Sequence, residues 1–454
     1  MRKVLQDRRL RIGLAGAAAI SLLTLTACGG SGSSTTTNST TTPGSTSSGT
    51  AAAGPSDPST FTFLNITEDA TVGEEMKGLA QGACSTENKA LPLVVENVPQ
   101  ASLDQKLLLL AGQNALPSMY AAGNAPATTK TLVQGGDVVN FQTELTKLGV
   151  INDVEPAAIS SIDSLFGGFY VLPTQLNIEG IFYNKKIFAQ DGISVPQTWS
   201  QLVADAATLQ AKGVQPFSAS GQQGWPITRL ISGYLERDLG PSALNAVASG
   251  AAKLTDPQYV AAAQAVASLG AKGYFGKGVE SIDYNTSVNT FLTGKAAMLY
   301  MGSWVLSSIA TPSSDTIGAG NIGFMPFPNV TGGKGNSDQW PANVGLAYTL
   351  NAKTLGPKSQ AWLKCIVQNY GYASLKTYDT FTGFVSNPAV TGLTPLETQV
   401  QNIISSTKQS VLWFEALFST QATTVSQQDA APLVNGSMSP SAFMSAVQAA
   451  LTTT

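Results

Sequence analysis

GIFYNKKIFAQDGISVPQTWSQL, residues 180–202, passes from one backbone state to another within a short stretch. Ile181, Phe182 and Tyr183 form an apolar run suited to a buried strand. Asn184 and Lys185 end it, and a turn-rich stretch opens at Phe188 and closes on Gly192 and Pro196. Thr198 then stands at a helix start, with Gln201 three residues on as its capping-box partner. Trp199 in the first turn reads as a structural anchor. Strand, loop and helix in that order are the building unit of an α/β protein.

The same alternation runs outward in both directions. Residues 291–305, FLTGKAAMLYMGSWV, read as a helix end at Phe291 broken by Gly294, an apolar strand Ala296–Met301, and a turn at Gly302. Trp304 follows just past that strand, where ligands of open α/β sheets tend to bind. Toward the N-terminus, Phe61–Ile66 and residues 91–98 read as strands, with a helical segment around Val72–Ala83 between them. Ser102 and Gln105 have capping-box spacing, so a helix is expected from Ser102 to Gln113. Asp256-Pro257 opens another helix, which stops near Gly270–Gly273. No internal repeat divides the chain.

Composition narrows the function. The 454 residues contain no histidine, which removes His-based triads, His-ligated metals and imidazole pH switches. Residues 1–11 are basic and 12–25 apolar, a run too short to span a bilayer, so 1–27 is expected to be a signal peptide. Leu25-Thr26-Ala27-Cys28 resembles a lipobox, which makes Cys28 the expected lipidation site. Residues 28–57 form a Ser/Thr/Gly-rich stretch expected to stay disordered and to act as a tether of ~30 Å. Without residues 1–27 the chain carries 20 Lys+Arg against 27 Asp+Glu, a net charge of −7. That balance suits a soluble protein outside the membrane and not a nucleic-acid binder.

Several motifs in the same order are similar to the family-1 extracellular solute-binding proteins of ATP-driven (ABC) sugar importers, the group that includes maltose-binding protein. Tyr183-Asn184-Lys185 and Thr198-Trp199 match the family's Y-N-K and T-W steps. Phe291, Gly294, Lys295, Ala297, Met298, Gly302 and Trp304 match its F-x-x-G-K-A-A-M-x-x-x-G-x-W pattern. Residues 169–173 (FYVLP) resemble its first crossover between lobes, 324–328 (FMPFP) its second, and 384–388 the segment near its third. The chain departs from the family at Leu116-Pro117-Ser118, at Ala342-Asn343 and at Gln201. The resemblance implies a two-lobed periplasmic-binding-protein fold (type II) with a hinge between lobes. One lobe would be 58–170 plus 329–386, the other 171–328 plus 387–454. Cys84 and Cys365 then share the first lobe, either as a disulfide or as two buried thiols.

The resemblance also implies a function: capture of a mono- or oligosaccharide between the lobes and delivery to an ABC permease. No catalytic residue and no cofactor is expected. The protein would be a monomer held to the membrane by the lipid on Cys28. A sugar site needs aromatic faces and planar polar groups. Trp304, Trp225, Trp340 and Trp413 are the aromatic candidates, and Asn343, Gln175, Asn177, Asn124, Glu96 and Asp69 the polar ones. Trp199 and Trp362 read as structural. The alternatives are a receptor for a polyol, peptide or polyamine, or a lipid-anchored glycoside hydrolase. The hydrolase would need a carboxylate pair across the cleft, for which Glu236/Asp238 and Asp153/Glu155 are the acids available.

Overall fold

A computed structural model describes residues 55–67, 70–99, 102–123, 126–310 and 315–451. The expected signal peptide, Cys28, nearly all of the expected tether, Asp69 and Asn124 lie outside these. Among the described residues, ten strands form two sheets. The first holds β1 (Phe61–Ile66), β2 (Leu93–Val98), β3 (Met119–Ala121) and β9 (Tyr348–Leu350), in the order β2-β1-β3-β9. The second holds β4 (Asn177–Asn184), β5 (Gln215–Ser218), β6 (Ala296–Gly302), β8 (Trp340–Asn343) and β10 (Ser410–Val411), in the order β10-β8-β4-β6-β5. β7 (Ile322–Met325) also pairs with β4.

Local chemistry explains these elements. β1 lies between two parallel neighbours, and all its residues but Thr62 are buried, as a strand covered on both faces requires. Every residue of β6 is buried, so its run AAMLYMG shows no alternation. Thr198 and Gln201 form the expected capping box at the start of helix Trp199–Ala211. Between β4 and Gly192 the chain forms helix Lys185–Asp191 where turns were expected. Asn184 Oδ1 accepts from the amides of Lys186 and Ile187 and starts that helix. Helix Leu103–Gly112 forms as expected, but Ser102 makes no side-chain cap, its backbone being helical already. Asp57, expected to end the tether, instead accepts from the amides of Lys358 and Ser359 and caps helix Pro357–Tyr378. The folded part therefore takes in residue 57.

Three segments join the two sheets. Residues 172–176 lead from an antiparallel bridge at Leu172–Tyr348 into β4. Residues 344–347 return from β8, paired with β4 at Asn177–Asn343, to β9. The third passes Gly383, whose amide donates to Pro173, and Phe381, whose carbonyl accepts from Leu176. The second crossover thus lies after β8, not at residues 324–328. There β7 is committed to the edge of β4, and Trp340 stacks on Phe324 at 5.4 Å. The expected boundary at 328/329 shifts accordingly, and β8 joins the second lobe's sheet.

Cys84 and Cys365 are bonded, with Cα atoms 5.8 Å apart. The bond ties the segment before helix Ser85–Ala90 to helix Pro357–Tyr378 beside the first sheet.

A candidate ligand cleft lined by two tryptophans

A cavity of about 650 Å³ opens between the two sheets. From the first sheet's side come Ala122 and Gly123, just past β3, and Asp104 in the first turn of helix Leu103–Gly112. The second crossover supplies its middle, Asn343 to Ala347. Gly345 takes φ +61, and a Cβ there would collide with the side chain of Gln175. From the other side come Trp225 and Arg229, one turn apart on helix Trp225–Leu239, and Trp413, Glu415 and Phe418 after β10. Thr423, Thr424 and Gln427 of helix Thr420–Asn435 complete that wall.

The tryptophans are held by charge and by other rings. The Arg229 guanidinium lies 5.1 Å from the Trp225 ring centre and 5.2 Å from that of Trp413, a cation–π contact with each ring. Arg229 Nη1 donates to Glu179 of β4 in a buried ion pair. Glu415 Oε1 accepts from Thr228 and from Ser426. Burial pushes the Glu415 carboxyl up, opposed by the nearby Arg229. Glu236 stands close enough to Arg229 to act on its charge, and burial pushes its carboxyl well above the usual range. Neither Glu236 oxygen has a hydrogen-bond partner.

Of the sequence candidates, Trp225, Trp413 and Asn343 line this cavity. Asn343 Oδ1 accepts from the Gly345 amide, which orders the crossover. Trp304 stands one layer back. Its ring packs edge-on to Trp225 at 5.9 Å and lies against Gly302, where a Cβ would strike it. Asn177 sits opposite Asn343 in the strand pairing and accepts from Ser303, and Gln175 backs Gly345. Neither is in the cavity wall. Trp340 is elsewhere, stacked on Phe324 and bordering a separate surface depression with Asp338 and Lys408. Glu96 is exposed on β2, the edge strand of the first sheet, away from the cleft. Trp199 and Trp362 are structural, stacked on Phe327 and Phe61 respectively. Sequence reading missed Arg229 and Glu415. The signal was present, since Arg229 follows Trp225 by one helical turn and Glu415 follows Trp413 by two residues.

Residues 71–364 match the family model described as bacterial extracellular solute-binding protein. The chain belongs to that family. Family members are binding proteins, and the acid pairs Glu236/Asp238 and Asp153/Glu155 are both absent from the cleft wall. Among curated relatives, the multiple sugar-binding protein of Streptococcus mutans is 24% identical over 366 residues, 76% of this chain and 75% of that one. Other curated relatives are matched over 42% and 37% of their own length. Two solved structures share the two-lobed fold. A probable secreted solute-binding lipoprotein from Streptomyces coelicolor superposes with a TM-score of 0.71 at 17% identity, covering 88% of this chain and 100% of that one. A chitin oligosaccharide binding protein does so at 0.68 and 22%, covering 86% and 98%. No helix among the described residues is long and apolar enough to cross a membrane.

Proposed function

We propose that this family member is the sugar receptor of an ABC importer, taking a mono- or oligosaccharide into the cleft and passing it to the permease. The observation that carries the reading is the pairing of two indoles, Trp225 and Trp413, with planar and hydroxyl groups in one cavity between two sheets. A sugar ring has an apolar face for an indole and a rim of hydroxyls for amides and carboxylates. Asn343, Gln427, Thr423 and Asp104 are such groups, and they come from both sides of the cleft. The multiple sugar-binding relative supports the same class of ligand.

The two lobes close on the sugar by a hinge at the three crossovers, near residues 172–176, 344–347 and 381–384. The ligand leaves chemically unchanged, so the protein acts as a monomeric receptor and not as an enzyme. The lipobox-like Leu25–Cys28 supports anchoring through lipid on Cys28, outside the cell membrane. A thermal-shift screen of the lipid-free protein tests the reading. Its chain should begin no later than residue 55, so that Asp57 keeps its helix cap. The panel holds neutral mono- and oligosaccharides, polyols, polyamines and short peptides. A rise in melting temperature with one group of sugars, recovered intact, is expected. A rise only with a non-sugar solute, or recovery of cleaved sugar, would overturn it.

A further inference from the structure

The cleft floor carries more charge than a neutral ligand needs, and its arginine is already ion-paired with Glu179, although Arg229 Nε itself has no hydrogen-bond partner. Arg229 is the only Lys or Arg among the described residues lining the cavity. Its Nη1 is bonded to Glu179, its guanidinium lies over both indoles, and Glu415 and Glu236 act on its charge. Its side chain is 9% exposed and that of Glu179 0%. Trp225 is also braced by Trp304, edge-on at 5.9 Å, and by Tyr284 at 6.0 Å. The first turn of helix Trp225–Leu239 offers no spare donor. Trp225 N–H donates to Gln223, Ile227 and Thr228 donate to Gly224, and Pro226 has none. An anion entering here would meet Asp104 and Glu415, with no cation left over to pair with it.

We propose that Arg229 is a positioning residue of the binding site: fixed by Glu179, it holds Trp225 and Trp413 as one rigid pair of stacking platforms and receives no charge from the ligand. The inference rests on the sugar-receptor reading for the nature of the ligand, though not for the placement of the indoles. A stacking platform helps a weak ligand only if it is already in place, because ordering it on binding subtracts from affinity. Two indoles that share one guanidinium are ordered together. The site that results takes uncharged ligands and rejects carboxylated or phosphorylated ones.

The test begins without any sugar. Indole N–H resonances of the ligand-free protein are recorded for wild type, Arg229→Met, Arg229→Lys and Glu179→Gln, and assigned with Trp225→Phe and Trp413→Phe. Arg229→Met should shift or broaden the Trp225 and Trp413 signals and leave those of Trp199 and Trp362 in place. Arg229→Lys, which keeps a cation, should restore sharp signals, and Glu179→Gln should give a smaller disturbance in the same two. Titration with maltose, raffinose and chitobiose, and with digalacturonate as the anionic probe, follows. Any neutral probe that binds should lose about tenfold in affinity in Arg229→Met and recover in part in Arg229→Lys. Unchanged Trp225 and Trp413 signals in both Arg229→Met and Glu179→Gln would overturn the inference, as would digalacturonate binding that depends on Arg229. Disturbed indoles with no sugar bound by wild type would instead break the sugar-receptor reading and leave the positioning role standing.

Discussion

The two lobes bury polar groups in different ways. Around the first sheet, several interior polar groups are closed by neutral partners, although buried Asp137 pairs with Lys353. Tyr348 donates to Asn65 at 2.5 Å, Trp362 Nε1 donates to the Leu91 carbonyl at 2.8 Å, and Glu75 accepts from Tyr370 and Ser374. The Cys84–Cys365 bond closes a loop of 281 residues over the same region. Beside the second sheet, Glu179, Arg229, Glu236, Arg237 and Glu415 are all buried together with Tyr300, and several of their polar atoms have no hydrogen-bond partner. Buried ion clusters of this kind are weak contributors to stability and survive where they serve a site. The first lobe is built for cohesion. The second gives up cohesion to hold two indoles and a guanidinium at the cleft.

The largest effect expected from breaking this contrast is on the first lobe. Replacing Cys84 and Cys365 together with serine should cost about 2–5 kcal/mol of stability. Sugar affinity should hardly change, since neither residue touches the cleft. Denaturant unfolding and a sugar titration of the same variant check both halves. Next comes Trp304. Because it backs Trp225 and does not line the cavity, Trp304→Ala should weaken sugar binding by about three- to tenfold, less than removal of Trp225 itself. Calorimetric titration of the two variants side by side decides the order.

Glu236 sharpens the comparison through pH. Burial raises its carboxyl well above the usual value of 4.5, against the pull of Arg237 and Arg229. The folded state therefore holds a proton there that the unfolded chain releases first. Stability is lost as pH rises from about 4.5 toward and through the folded-state value. Glu236→Gln removes that dependence. The variant should be the more stable at neutral pH, by on the order of 1 kcal/mol, and its advantage should shrink as pH falls toward 4.5. Melting curves between pH 4.5 and 8 test the sign. A constant difference, or one that grows toward acid, would contradict it. The smallest expected effect concerns two helix starts. Thr198→Ala breaks a formed capping box and should cost about 1 kcal/mol, whereas Ser102→Ala removes no cap and should be near neutral.

Those two starts also mark how far the sequence could be read. Thr198 and Ser102 have the same spacing to a glutamine, yet only Thr198 has the extended backbone that lets its hydroxyl reach back. Strands such as Phe61–Ile66 were readable because each is a short apolar run between breakers. The second crossover was misplaced because residues 324–328 carry a proline-rich, aromatic pattern that suits an edge strand as well as a link between lobes. Only pairing with β4 distinguishes the two. In the cleft, Trp225, Trp413 and Asn343 were found by residue type. Trp340 and Glu96 share that chemistry but point into other surroundings, which depends on tertiary packing and not on local pattern. Arg229 went unseen because a buried cation is recognised by its partners. Glu179 lies 50 residues away on another element.

Sugar is expected to sit on Trp225 and Trp413. The most direct measurement is the affinity of one sugar, chosen from the thermal-shift screen, for Trp225→Ala, Trp413→Ala and Trp340→Ala in parallel. Loss of about tenfold or more in the first two, with Trp340→Ala close to wild type, is the predicted result. Wild-type affinity in both cleft variants, or loss confined to Trp340→Ala, would contradict it and move the site to the depression beside Asp338 and Lys408.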